Sequence, residues 1–161
     1  MRKLLNGLYD GSAWLAGIAM IGVLAMVLLT ITSRLFGFSA PGTDAYAGYA
    51  MAGAGFMALA STLKKGEHIR VTLLLGALKG KAYKALELTA LGVATILSAF
   101  LAFYSTRLVW QSWEIEDISV GIDATPMWIP QIFMALGTIV FCIAFCDELV
   151  LELLGKRKAV E

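Results

Sequence analysis

The side chains able to do acid–base or ligand chemistry lie mostly between long apolar runs, and one short polar stretch stands out. Lys64-Lys65-Gly66-Glu67-His68-Ile69-Arg70 carries the only histidine of the 161 residues, next to a carboxylate. A histidine beside a glutamate has the groups for proton transfer. Adjacency in sequence does not make a site, however, and no nucleophile of a known motif accompanies the pair. His68 therefore reads as a polar anchor at a membrane surface, with a hydrogen bond to a partner or a neighbouring helix end as the alternative. Cys142 and Cys146 lie four apart, on one face of an expected buried helix. A disulfide there would have poor geometry, and two thiols with one distant histidine make no zinc site. Their ordinary reading is small apolar packing residues. No catalytic, cofactor or metal residues are assigned.

These groups are positioned by apolar segments. Hydrophobic residues make up 59% of the chain and charged ones only 16%, a balance that a soluble domain of this size could not cover with polar surface. Four stretches, approximately 11–33, 45–63, 88–106 and 124–146, contain no Asp, Glu, Lys, Arg or His, and each is close to the ~20 residues a membrane-spanning helix needs. The first is too long for a signal-peptide core and lacks a convincing small-x-small cleavage pattern, so it is expected to be retained. The second is rich in small residues, with Ala50, Ala54 and Ala58 repeating every four. Such spacing lets helix backbones approach closely in lipid, so this helix is expected to be the most tightly packed; a channel lining is the sharper alternative.

Between the second and third spans, Val71, Leu74, Leu75 and Leu78 recur at helical spacing in a segment too short to cross and flanked by cations. It predicts an amphipathic helix over approximately 68–79, lying in the headgroup plane. Lys64, Lys65, Lys79, Lys81 and Lys84 read as lipid-surface anchors, and Trp110, Trp113 and Trp128 as members of the interfacial aromatic belts. Pro126 and Pro130 suit the start of the fourth helix.

Orientation follows from charge. Eleven of the thirteen Lys and Arg residues lie in the head, the central loop and the tail. The positive-inside rule makes that side cytoplasmic, with both termini inside. The outer connections carry Asp44, Glu114, Glu116, Asp117 and Asp123 against Arg34 and Arg107. Arg34 and Asp44 flank the first of them, where a salt bridge could pin the hairpin, although an exposed pair contributes little. No basic stripe interleaved with aromatics speaks for nucleic acid. Charge-free spans argue against a self-contained proton-coupled carrier, because intramembrane ionisable groups mark ion paths. One loop histidine cannot ligate a haem from both sides.

Four features together resemble a known family, the small permease subunit (Q-type, DctQ-like) of tripartite ATP-independent periplasmic (TRAP) transporters. Thr32-Ser33-Arg34-Leu35-Phe36 resembles the arginine-bearing end of that family's first helix. Asp44 stands where an acidic residue, more often glutamate, opens the second. Leu63 to Val71, with Gly66, Glu67, His68 and Arg70, is similar to its basic-Gly-x-His-Ile-x-Val signature. Thr125-Pro126-Met127-Trp128-Ile129-Pro130, followed by Gly137, resembles the start of its fourth helix. The resemblance implies a subunit without substrate or sodium sites of its own. It would brace a large (M-type) membrane subunit that transports organic acids with sodium by an elevator motion, fed by a periplasmic substrate-binding protein.

The expectation is thus an all-α membrane protein of the bacterial inner membrane, one domain over 1–161. It would have four transmembrane helices, both termini inside, and a cytoplasmic interfacial helix between the second and third. Its partners would be the large subunit, the substrate-binding protein and phospholipids, with no cofactor of its own. Glu114, Glu116 and Asp117 are a possible contact for the binding protein. The alternative is an autonomous small channel or carrier acting as a homo-oligomer.

Overall fold

A computed structural model describes residues 2–65 and 81–154. Four α-helices run through them: α1 (Arg2–Phe36), α2 (Thr43–Lys64), α3 (Lys81–Glu114) and α4 (Trp128–Leu153). There is no strand among the described residues, only an isolated antiparallel bridge between Ile118 and Pro126. The stretches Lys3–Phe36, Lys84–Glu114 and Trp128–Leu153 are long and apolar enough to cross a membrane. The expected second span is a helix of 22 residues but is not among these three; its alanines and glycines carry less hydropathy than the leucines and isoleucines of the others. The interfacial helix expected over 68–79, with Gly66, Glu67, His68, Arg70 and Lys79, lies outside the described residues.

At 1.5 Å per residue, α1 with its 35 residues is about 52 Å long and α3 with 34 about 51 Å. Both exceed the ~30 Å hydrocarbon layer, so the helices outrun the apolar stretches that define them. The first ends in a left-handed glycine cap. Gly37 (φ 69°) reverses the chain and Phe38 N–H donates to the Ser33 carbonyl at 3.1 Å, the Schellman pattern. Gly42 (φ 82°) then precedes α2. The fourth helix starts at Trp128, later than the apolar stretch that begins at Ala124. Before it, residues 117–127 fold into a small hairpin: Met127 N–H donates to Asp117 O and Ser119 N–H to Thr125 O, both at 2.9 Å. Pro126 has no N–H to give a helix and pairs here instead.

The helices form a row in the order α1–α2–α4–α3. Among the described residues α1 packs on α2, α2 on α4 and α4 on α3, α1 just reaches α4, and α3 meets only α4. Consecutive helices are antiparallel, and α2 and α4 run the same way, since Gly53 faces Phe133 and Phe56 faces Gly137. This α2–α4 seam is close. A Cβ built on Gly137 would lie 2.5 Å from the carbonyl carbon of Phe56, and one on Gly53 would lie 3.4 Å from the Cβ of Phe133. The buried face of α2 is Gly53, Ala54, Met57, Ala60 and Ser61, a helical stripe of mostly small residues that permits this approach. On α3 the buried positions Leu91, Ser98, Ser105 and Ser112 recur every seven residues, the period of a left-handed helix pair. The Ser98 and Ser105 hydroxyls donate back to the carbonyls of Thr95 and Leu101, so these two hydroxyls are satisfied within their own helix.

Candidate functional site

The row has two polar ends. One carries the start of α1 and the ends of α2 and α4; the other carries the two connections, 37–42 and 115–127. At the first end Lys64 closes α2, where a cation also complements the helix dipole. Its ammonium donates to Asp147 Oδ2, and to Glu148 Oε1 at 3.0 Å, on α4. It also lies 5.2 Å from the ring centroid of Tyr9 on α1, within cation–π range. Below it Tyr9, Ala60 and Ala144 form a buried cluster flanked by Leu5, Leu63 and Val140. One lysine therefore ties three helices together. This differs from the lipid-surface reading of Lys64. Asp147 and Glu148 lie one turn before the end of α4, within reach across the α2–α4 seam, and they draw the ammonium inward. Lys65 and Lys84 are exposed. The Tyr9 hydroxyl is buried and has no hydrogen-bond partner among the described residues.

At the other end a hydroxyl network joins α2 to the hairpin. Tyr49 donates to Asp123 Oδ2 at 2.9 Å, Ser119 donates to Asp123 Oδ1 at 3.0 Å, and Thr125 donates to the Tyr46 hydroxyl at 3.2 Å. The Asp123 carboxyl is held below the usual carboxylate range. Burial pushes it up, but hydrogen bonds with Thr125, Tyr49, Ser119 and its own backbone pull it down further. Gly42 lies against this carboxylate's residue, its absent Cβ only 3.1 Å from the Cβ of Asp123, so both connections meet here. The hairpin bends through Ala124 at φ 45°, a left-handed conformation that costs a non-glycine residue about 1 kcal/mol or more.

Arg34 and Asp44 are both exposed and form no ion pair with each other. The α1–α2 hairpin is held instead by Thr30, whose hydroxyl lies 2.8 Å from Thr43 Oγ1 and 3.4 Å from Asp44 Oδ1. Glu114 and Glu116 are exposed and Asp117 half-buried. Trp110 and Trp113 stack at 5.6 Å near the end of α3, and Trp128 opens α4, with Pro126 exposed just before it and Pro130 half-buried in its first turn. Cys142 and Cys146 are free thiols. Among the described residues no three His, Cys, Asp or Glu side chains are grouped so as to hold a metal ion.

Sequence reasoning missed both polar networks. Lys64 and Asp147 are 83 residues apart, and Tyr49 and Asp123 are 74 apart, so no local pattern links them. The serine heptad of α3 had a visible signal, its period of seven.

Long apolar helices side by side, with the clusters of charged side chains at the two ends, define a multi-pass membrane protein that has no evident chemistry in its own described spans. Residues 23–155 match the DctQ component of tripartite ATP-independent periplasmic transporters, and the chain belongs to that family. It is the small component of a TRAP transporter, in a family of transporter components and not of enzymes. A tripartite system implies two further components, a large membrane subunit and a substrate-binding protein, and with the apolar helices points to the inner membrane. A comparison with curated proteins gives no significant match.

Proposed function

We propose that this chain is a static scaffold. As a single membrane domain over 1–161 it braces the large subunit of a sodium-coupled transporter for organic acids, and it holds neither the substrate nor the sodium. The observation that carries this reading is the absence of any Asp, Glu, Lys, Arg or His in the four apolar stretches 11–33, 45–63, 88–106 and 124–146. Moving an ion or an acid anion through lipid needs charged or polar groups at depth. The interhelical cluster around Lys64 adds support, because it fixes three helices to one another, as a brace requires. The bias of Lys and Arg to the head, central loop and tail supports a cytoplasmic position for both termini. On that orientation the Lys64 end is inner, the hairpin end is outer, the 68–79 segment lies at the inner headgroups, and Glu114, Glu116 and Asp117 face the periplasmic component. Phospholipids surround the row.

The test is co-purification. A tagged chain extracted in mild detergent is expected to bring down a much larger multi-span protein. Purified chain alone in liposomes is expected to move no organic acid. Substrate flux without a partner would overturn the scaffold reading in favour of an autonomous homo-oligomeric carrier.

A further inference from the structure

The hairpin after α3 is turned inside out relative to a water-facing loop. Ser119 and Asp123 turn inward to Tyr49, while Ile118, Val120 and Ile122 are exposed at 54%, 107% and 84%. Beside this apolar edge lies a groove of about 580 Å³ lined by Trp113, Glu114, Glu116, Ile118, Pro126 and Trp128. Two indoles and two carboxylates around one space are the chemistry of a cation receptor. The indole faces attract a cation, and the carboxylates accept charge-assisted hydrogen bonds. A guanidinium fits best, since it can stack on a ring and fork to a carboxylate together.

The height of the groove argues against lipid as its occupant. The charge-free run of α3 ends at Arg107, and Glu114 stands about 10 Å further along the helix. The hairpin then runs back over the start of α2, where Asp123 meets Gly42 and Tyr49, and the carboxylates of the groove would be repelled by anionic headgroups. A protein surface that offers a basic side chain within an apolar ring matches both the charge and the exposed edge.

We propose that the Trp113–Trp128 groove and the Ile118–Val120–Ile122 edge form one docking surface, which takes an arginine or lysine side chain of the transporter's periplasmic substrate-binding component. The groove supplies the anchor, and the apolar edge excludes water around it. This rests on the reading above that places the hairpin outside, and it moves the contact from surface charge alone to an aromatic-acid pocket with an apolar rim.

The test uses the complete transporter in proteoliposomes, with uptake followed while the binding component is titrated. Glu114→Gln with Glu116→Gln is expected to raise the half-saturating concentration of that component about tenfold, which corresponds to 1.4 kcal/mol, and to flatten its salt dependence. Val120→Ser with Ile122→Ser is expected to raise it similarly and to leave the salt dependence intact. Uptake at saturating component stays at the native level in both. An unchanged half-saturation in both pairs would overturn the proposal. So would a Val120→Cys variant carrying an environment-sensitive dye that shifts to the blue in the proteoliposomes before the component is added, since the edge would then be in the membrane. Co-purification with the large subunit is followed in parallel. If the native chain fails to co-purify, the scaffold reading fails; if co-purification is intact and half-saturation unmoved, only the docking surface fails.

Discussion

Where the row carries its chain ends, three helices meet on one lysine; where it carries its loops, α2 and the hairpin meet on tyrosine hydroxyls and one carboxylate. The lysine end uses full charges at about one-fifth or less side-chain exposure, with Lys64 at 20%, Asp147 at 21% and Glu148 at 12%. The loop end, also part-buried, uses neutral donors around a single anion, Asp123. Partly desolvated opposite charges are costly to unpair, whereas a bond from a neutral hydroxyl is worth less and is given up at smaller cost. The difference teaches which end is the clamp and which the adaptable one. The clamp lies where the helices must keep their register. The adaptable end carries the hairpin proposed to meet another protein, and docking tolerates small adjustments there.

The α2–α4 seam lies between the two ends and serves both, so breaking it gives the largest effect. Gly137→Val should force α2 and α4 apart, because even a Cβ meets the Phe56 backbone at 2.5 Å. A loss of about 3 kcal/mol or more is expected, read as a fall in thermal midpoint in detergent, with both polar ends loosened together. A native midpoint would show that the seam is not the shared support.

Breaking the clamp alone comes next. Lys64→Met removes the cation from Asp147 and Glu148 and should cost about 2–4 kcal/mol. Adding Asp147→Asn and Glu148→Gln should recover a good part of it, since the buried anions are then gone. A double-mutant cycle on Lys64 and Asp147 that gives no coupling would make the pair incidental.

The loop end should respond less, and to pH. With its folded value held below the ordinary one, Asp123 lends stability that is fully present above the usual carboxylate range and is lost as pH falls through the folded value. Acidification should therefore loosen the hairpin first, seen as faster hydrogen exchange at the Ser119 and Met127 amides, which donate across it. Tyr49→Phe should speed the same amides at neutral pH and blunt the acid response. Equal loosening of the Lys64 end under mild acid would contradict the contrast drawn here.

The smallest change expected is Tyr9→Phe. The hydroxyl has no hydrogen-bond partner among the described residues, so its removal should leave stability unchanged or raise it by up to about 1 kcal/mol, while Tyr9→Ala should lower it by emptying the cluster with Ala60 and Ala144.

The helices were legible in the chain because charge-free runs of about 20 residues have few other solutions, and the family was legible from the ordered marks at Arg34, Asp44, His68 and Pro126. Partners across helices were not. Lys64 sits beside Lys65 in a basic run and looks like its neighbour; only the parallel course of α2 and α4 brings Asp147 to it. Asp123 counted as one acid of an acidic face, but the hairpin turns it inward to Tyr49. Pro126 has the look of a helix start in the linear sequence, yet its missing N–H and the left-handed Ala124 favour the paired turn before Trp128. The close packing of α2 was readable in its alanines and glycines, while its particular counterpart, Gly137, needed the register of two helices that are not consecutive.

The order α1–α2–α4–α3 has a consequence for how the chain is built. Each half is an antiparallel hairpin of neighbours in sequence, and the two halves touch mainly along α2 and α4. Sequence-local hairpins form before distant pairings, so each can leave the insertion machinery as a finished unit. The second membrane event is then lateral docking of two ready-made halves, completed when Asp147 and Glu148 find Lys64. Two separately expressed fragments, divided between Lys65 and Lys81, should thus reassemble into the same four-helix row.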